Sequence, residues 1–165
     1  MRKILFAFAL LISSISFAQQ EIKVDIADAL ALKTLDLSYE YYISDQSSIG
    51  ISALFNFEGK GSDFRYNEDR MITPYFRHYF TTEAKWNFFG EGWFGLNFGE
   101  KEINNGGTIS YKDYTDGALG ISIGTKYTSV GGLVIDAHAG LGRNMFGSDS
   151  PIIVPRVGVG VGYSF

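Results

Sequence analysis

The sequence predicts an all-β fold, an eight-stranded antiparallel up-and-down transmembrane β-barrel, and three observations carry that expectation. The first is alternation. In Pro155-Arg-Val-Gly-Val-Gly-Val-Gly-Tyr-Ser-Phe165, Val157, Val159, Val161, Tyr163 and Phe165 share one face of an extended strand. Arg156, Gly158, Gly160, Gly162 and Ser164 share the other, because side chains of a strand alternate with period two. The second is composition: 20 Gly, 14 Phe, 10 Tyr, 2 Trp and only 3 Pro in 165 residues fit many strands joined by tight turns. The third is the length of the connections, short and long by turns along the chain. An alternating, aromatic-tipped strand left bare invites aggregation, and closure into a barrel removes the edge.

The N-terminus reads separately. Arg2 and Lys3 precede an apolar stretch from Ile4 to Ile15, and Ser16-Phe17-Ala18 supplies small residues around a cleavage point. Residues 1–18 are therefore expected to be a secretory signal peptide and residues 19–165 the barrel domain. Loss of Arg2 and Lys3 leaves 12 basic against 18 acidic residues, a net charge of about −6, which argues against nucleic acid as a partner. The absence of cysteine excludes disulfides, thiolate metal sites, a cysteine nucleophile and a lipid-modified N-terminal cysteine. Mean hydropathy is near zero, and no run in the body approaches the roughly 20 apolar residues of a membrane helix.

The strands follow in order. The first is expected at Glu21–Ala29, with Ile22, Val24 and Ile26 on one face and Lys23, Asp25 and Ala27 on the other. A short connection at Asp28–Lys33 leads to the second, Thr34–Ile43, where Leu35, Leu37, Tyr39, Tyr41 and Ile43 alternate with Asp36, Ser38 and Glu40. Ser44–Ser47 carries turn chemistry. The third, Ser48–Phe57, sets Ile49, Ile51, Phe55 and Phe57 against Gly50, Ser52, Leu54 and Asn56. After a charged loop, Glu58–Arg70, the fourth strand, Met71–Phe80, places Ile72, Phe76 and Phe80 opposite Tyr75, Arg77 and Tyr79. Pro74 cannot donate to a ladder and predicts an irregularity there.

The fifth strand is expected at Ala84–Phe98, with Trp86, Phe88, Phe94, Leu96 and Phe98 in one phase and Phe89, Glu91, Trp93 and Asn97 in the other. Gly99 to Asp116 reads as the longest loop. The sixth, Gly117–Thr128, alternates Leu119, Ile121, Ile123 and Tyr127 with Gly120, Ser122, Gly124 and Lys126. The seventh, Leu133–Arg143, opposes Ile135, Ala137 and Leu141 to Asp136, His138 and Gly140, and a loop at Asn144–Val154 reaches the eighth.

The apolar phase carries almost no charge, His78 being the clearest exception, and ends in a girdle of Tyr41, Phe80, Trp86, Tyr127 and Phe165. The opposite phase is small or charged. A soluble, lipocalin-like barrel has the same alternation with its phases exchanged. Interior-sized Gly, Ser and Asn in the polar phase favour the membrane form, since a soluble surface is thick with Lys and Glu. If the polar phase points inward, Glu40, Arg77, Glu91, Lys126 and Asp136 lie in the periplasmic half. Arg77 and Glu91, at equal distance from their turn, are expected neighbours. Buried charges must be paired, so a structural plug is expected over an ion path.

The signal peptide, the eight strands and the closing Val-Gly-Val-Gly-Tyr-Ser-Phe165 resemble the small outer-membrane barrel family typified by OmpX and the OmpA transmembrane domain. Leu37-Ser-Tyr-Glu-Tyr41 and Thr73-Pro-Tyr-Phe-Arg77 look like segments of related small barrels. The resemblance implies localisation in the cell outer membrane, contact with lipid and lipopolysaccharide, and recognition of the aromatic Phe165 by the barrel-assembly machinery. It implies no single function, because one fold hosts many.

Motifs for chemistry are sparse, and no catalytic, cofactor-binding or metal residue is assigned. Gly120-Ile-Ser-Ile-Gly124 matches the nucleophile-elbow pattern, but Ser122 is expected mid-strand with no helix after it. His78 and His138 are the only histidines, and neither has a second ligand at metal spacing. The His-x-Ser arrangement of a lipid-modifying barrel family is replaced by His78-Tyr-Phe80 and His138-Ala-Gly140. The loops Glu58–Arg70 and Gly99–Asp116 mix charges with Phe64, Tyr66, Tyr111 and Tyr114, as a protein or glycan contact would. The expectation is a monomeric, non-enzymatic barrel with an envelope-structural or loop-mediated role. A lipid A-modifying enzyme and a small-solute channel are the rival classes.

Overall fold

The computed structural model describes residues 19–31, 33–58, 68–105, 108–147 and 150–165. Its elements are β1 (Gln20–Asp25), α1 (Ile26–Ala31), β2 (Thr34–Ser44), β3 (Ser47–Asn56), β4 (Glu68–Tyr79), β5 (Asn87–Asn105), β6 (Thr108–Thr128), β7 (Leu133–Asn144) and β8 (Ile153–Ser164). Each strand pairs antiparallel with the next, and β1 closes on β8 to make a barrel. The expected signal peptide lies outside the described residues, as does most of the charged loop after β3.

Alternation decides which side of the wall each residue takes. Ile51, Phe76, Ile121 and Val157 are exposed, while Glu40, Arg77, Glu91 and Lys126 are buried inside. That distribution is the reverse of a soluble barrel, and the lipocalin-like alternative falls with it. Apolar side chains at 73–74% exposure, as at Ile121 and Ile123, need an apolar medium around them. At the rim bearing the termini, Phe80, Trp86, Tyr163 and Phe165 point outward, and Trp86 packs on Tyr127 with ring centroids 5.5 Å apart. By the length rule for outer-membrane barrels this is the periplasmic rim.

β8 closes the barrel on β1. Tyr163 stands opposite Ile22, and Phe165 is two residues further on, exchanging backbone hydrogen bonds of 3.1 and 2.9 Å with Gln20. The β6–β7 turn depends on Gly132, whose φ of 85° is open to glycine. Ser129 ties that turn from both its backbone and its hydroxyl, the latter accepting from Leu133 N at 2.9 Å. Around Pro74 the β4–β5 ladder skips from Ile72↔Leu96 to Tyr75↔Trp93, as a residue without an N–H requires.

Three expectations are corrected. The first strand does not reach Ala29: it stops at Asp25, and Ile26–Ala31 forms a one-turn helix. Asp25 Oδ1 accepts from Asp28 N at 3.0 Å, an N-cap, and the alanine-rich run after it favours helix over strand. Above Asp25, α1 packs against β2 and β8 and takes the place of β1 in the wall. The fifth strand starts at Asn87 rather than Ala84, because residues 80–86 form the turn. The supposed longest loop, Gly99–Asp116, is mostly strand: β5 and β6 stay paired from Asn87↔Lys126 out to Asn105↔Thr108. β4 leaves β5 at Gly99, and β7 leaves β6 at Ala118. Beyond Gly99 and Tyr114 the two strands form a ribbon, about 20 Å long at ~3.4 Å per residue.

Candidate functional site

The lumen is built in layers by the inward phase of all eight strands. In the periplasmic half, Glu40 on β2 is the hub. Its carboxylate lies 2.5 Å from Lys23 Nζ, 2.9 Å from Lys126 Nζ and 3.1 Å from Arg77, and accepts hydrogen bonds of 2.6 Å from both Ser48 and Tyr79. Arg77 on β4 also reaches Glu91 at 2.6 Å and Asp136 at 2.8 Å. Lys23 reaches Asp136 at 2.9 Å, and Lys126 reaches Glu21 at 2.7 Å. Arg156 joins from above through Glu91 at 3.0 Å. Lys23, Arg77, Lys126 and Arg156 thus face Glu21, Glu40, Glu91 and Asp136, with Asp36 3.9 Å from Arg156, in a space nearly closed to solvent. Charge of one sign alone could not be held there; balanced pairs with saturated hydrogen bonds can.

Arg77 also stacks on rings, with its guanidinium carbon 4.2 Å from the Phe89 centroid and 4.8 Å from that of Tyr75. Above the charges lies an aromatic and apolar layer of Met71, Tyr75, Trp93, Ala118 and Val154. Trp93 Nε1 donates to Ser122 Oγ at 2.9 Å. Its indole occupies room left by Gly120 and Gly142, where any Cβ would overlap the ring, and Tyr75 uses Gly50 in the same way. Further out, Asn97 donates to Asn144 at 2.6 Å. Asp116 then fastens the β7–β8 connection, accepting from Phe146 N at 2.9 Å, Gly147 N at 2.8 Å and the Ser150 hydroxyl.

Arg77 and Glu91 are neighbours, as their spacing from the turn implied, and all five charges assigned to the periplasmic half belong to one network. Sequence reasoning gave Lys23, Glu21 and Arg156 no part in it. Their partners stand on strands far apart in the chain, so only the barrel's closure brings them together. Ser122 lies in the middle of β6 as the indole's acceptor. His78 is on the outer face, bonded through Nδ1 to Ser47 Oγ at 3.1 Å and edge-on to Phe80. Among the described residues no group of three or more His, Asp or Glu is arranged to hold a metal ion.

Outside the plug, a cleft of about 550 Å³ opens at the outer ends of β3–β6. Asp69, Arg70, Phe98, Asp113 and Tyr114 are among its walls, beside the base of the ribbon. Like charges stand opposite each other on that ribbon, Glu100 against Asp113 and Lys101 against Lys112. Such pairs weaken a ladder by a few tenths of a kcal/mol or more, so pairing strength alone does not explain them.

A closed eight-stranded barrel with an apolar outer wall and a charged, filled lumen is an integral outer-membrane β-barrel, and that is the class of this protein. Its fold is the eight-stranded up-and-down barrel that its sequence resemblance implied. More particularly, the chain belongs to a family described as Protein of unknown function (DUF3575), whose model matches residues 4–150. Comparison with curated proteins found no match. Among solved structures, the N-terminal β-barrel domain of Pseudomonas aeruginosa OprF is similar with a TM-score of 0.63 and 14% identity, over 90% of this chain and 96% of that one. Ail, the attachment invasion locus protein of Yersinia pestis, is similar with a TM-score of 0.53 and 15% identity, over 90% of this chain and 97% of that one. The Ail backbone structure in a phospholipid bilayer nanodisc gives a TM-score of 0.51 at 16% identity, over 90% and 99%. Likeness at these identities is likeness of fold.

Proposed function

We propose that this protein is a plugged, non-enzymatic, monomeric barrel whose membrane domain anchors an outer interaction surface made of the β5–β6 ribbon and the cleft at its base. The carrying observation is the contrast between the two halves. The lumen is filled by paired charges and an aromatic layer, whereas β5 and β6 continue paired beyond both neighbouring strands. An eight-stranded barrel is only wide enough to be filled by its side chains, which supports a plug over a pore. The ribbon mixes charged residues with Tyr111 and lies on a rigid scaffold, the usual setting of a binding surface. The partners that fit are an extracellular protein or glycan outside, lipid and lipopolysaccharide around the wall, and the barrel-assembly machinery at Phe165.

The test compares the wild type with a trimmed variant in which an Asn-Gly turn replaces residues 101–112. That turn rejoins Glu100 to its cross-strand partner Asp113. Trimmed barrels are expected to fold with stability within about 1 kcal/mol of wild type, since the ribbon adds little to the wall. Cells carrying them are expected to lose adhesion to host glycans or proteins, or to gain detergent sensitivity if the role is envelope-structural. Cells indistinguishable in both assays would remove the outer surface from the function. In planar bilayers the wild type is expected to show no large unitary current, and lipid A masses are expected to be unchanged by its expression. A steady current would revive the channel, and a mass shift the enzyme.

A further inference from the structure

We infer that the outer ends of β6, β7 and β8 form a seat for one lipid A molecule, the acylated and phosphorylated anchor of lipopolysaccharide. This seat rests on the proposed contact of the wall with lipopolysaccharide and gives one such lipid a fixed place. A shallow groove of about 400 Å³ lies on the outer face of these strands, lined by Leu119, Ile121, Leu141 and Ile153, with Arg143 at its outer end. Ile121 on β6 and Ile153 on β8 are exposed and stand as its ridges. Below Leu141, Ala139 lies between Ile123 and Val157, a small side chain between two larger ones, so the groove keeps its direction along β7. A narrow apolar channel along a strand suits one acyl chain.

Height and charge select the head of the occupant. Arg143 is the last residue but one of the 12-residue β7. At ~3.4 Å per residue and a strand tilt of about 40°, it stands about 25 Å above the periplasmic rim, the height of the apolar band. Its guanidinium therefore lies where acyl chains give way to phosphates. Both cross-strand neighbours, Leu119 and Ile153, are apolar, and among the described residues no carboxylate pairs with it. Arg70 also faces outward near the outer end of its strand, but it shares a cleft with Asp69, Glu100 and Asp113. The groove under Arg143 has no acid on its walls. A lone cation at the head of an apolar groove fits an anion that carries its own apolar chain. Arginine's planar fork takes two oxygens of one phosphate, as lipid A presents them. A zwitterionic phospholipid brings its own ammonium beside the phosphate and gains less from the same guanidinium.

The experiment is native mass spectrometry of the folded full chain, released from detergent after titration with diphosphoryl lipid A. Lipid A stripped of its phosphates and a phosphatidylethanolamine are the comparison probes. One retained diphosphoryl lipid A per barrel is expected, held about tenfold more strongly than either comparison lipid, the worth of a charge-assisted hydrogen bond. Arg143→Gln is expected to lose that advantage and to leave binding of the dephosphorylated form unchanged, which assigns the phosphate to this guanidinium. Leu141→Trp fills the groove but keeps the arginine, and is expected to weaken both forms of lipid A. Both changes face lipid, outside the plug, and heat-modifiable gel mobility checks that each variant is folded. Lys85→Gln, on the exposed turn at the opposite rim, is expected to alter none of the three affinities. The barrel trimmed of residues 101–112 keeps the whole groove and is expected to bind lipid A as the wild type does, so loss of the ribbon's role and loss of this seat are read apart. Equal retention of diphosphoryl lipid A by wild type and Arg143→Gln, or equal retention of all three lipids, would overturn the seat alone. Retention of none of them would overturn it together with the lipid contact on which it rests.

Discussion

Arg77→Leu is expected to lower the folding free energy of the barrel by about 3–5 kcal/mol, the usual consequence of removing one side of a buried ion pair. The size follows from connectivity. One guanidinium serves Glu91, Asp136 and Glu40 at 2.6, 2.8 and 3.1 Å, and leucine leaves all three carboxylates buried with a cation fewer. Lys23 and Lys126 remain beside Glu40, and Lys23 beside Asp136, but Glu91 keeps only Arg156. Equilibrium unfolding in urea from lipid vesicles, followed by heat-modifiable gel mobility, measures the loss directly. Arg77→Lys is expected to fall between wild type and leucine, since lysine restores charge without the fork that spans three partners. Arg77→Leu combined with Glu40→Leu is expected to cost less than the sum of the single changes, because each single change strands what the double removes. A leucine variant within about 1 kcal/mol of wild type would show that the network is dispensable, and a large current through it would show that the charges, not the aromatic layer, close the lumen.

How much of this could be read from the sequence depends on what each residue senses. Alternation reports only whether the two faces of a strand meet different media. It therefore found all eight wall strands and their phases, from Ile22/Lys23 to Tyr163/Ser164, where one face meets lipid and the other the lumen. It failed where neither face meets lipid: at Glu100-Lys-Glu102 both phases are polar, so paired strand looked like loop. The available signal was the turn, because Asn105-Gly106-Gly107 is a hairpin dipeptide pattern. At Ile26–Ala31 the apolar residues satisfied a strand pattern for a few positions, and only the Asp25 cap with its alanine-rich sequel distinguished a helix. The Arg77–Glu91 pair was legible because adjacent strands share one turn. The Lys126–Glu21 contact was not, because it crosses the lumen between strands whose relative height is set by barrel stagger.

The aromatic layer supplies the other large expected effect. Gly120→Val is expected to prevent folding of the barrel, and Trp93→Leu in the same chain to restore much of it. The indole of Trp93 lies in a slot between Gly120 on β6 and Gly142 on β7, and a Cβ at either position would stand inside the ring. Retreat is blocked from within, since Trp93 is 3% exposed and packs with Met71 and Tyr75, while its Nε1 is held by Ser122 at 2.9 Å. Overpacking in a filled core costs about 1–3 kcal/mol where neighbours can shift, and more where they are backbone in a closed ladder. Trp93→Leu alone is expected to cost about 3 kcal/mol through lost contacts and the space left behind. Placed together, the two changes exchange volume across the slot, so the double variant should be more stable than Gly120→Val by several kcal/mol. The yield of heat-modifiable barrel after refolding into vesicles reads this ordering. A Gly120→Val chain that folds as well as wild type would mean that the indole has another place to go, and that the glycines of β6 and β7 are not there to admit it.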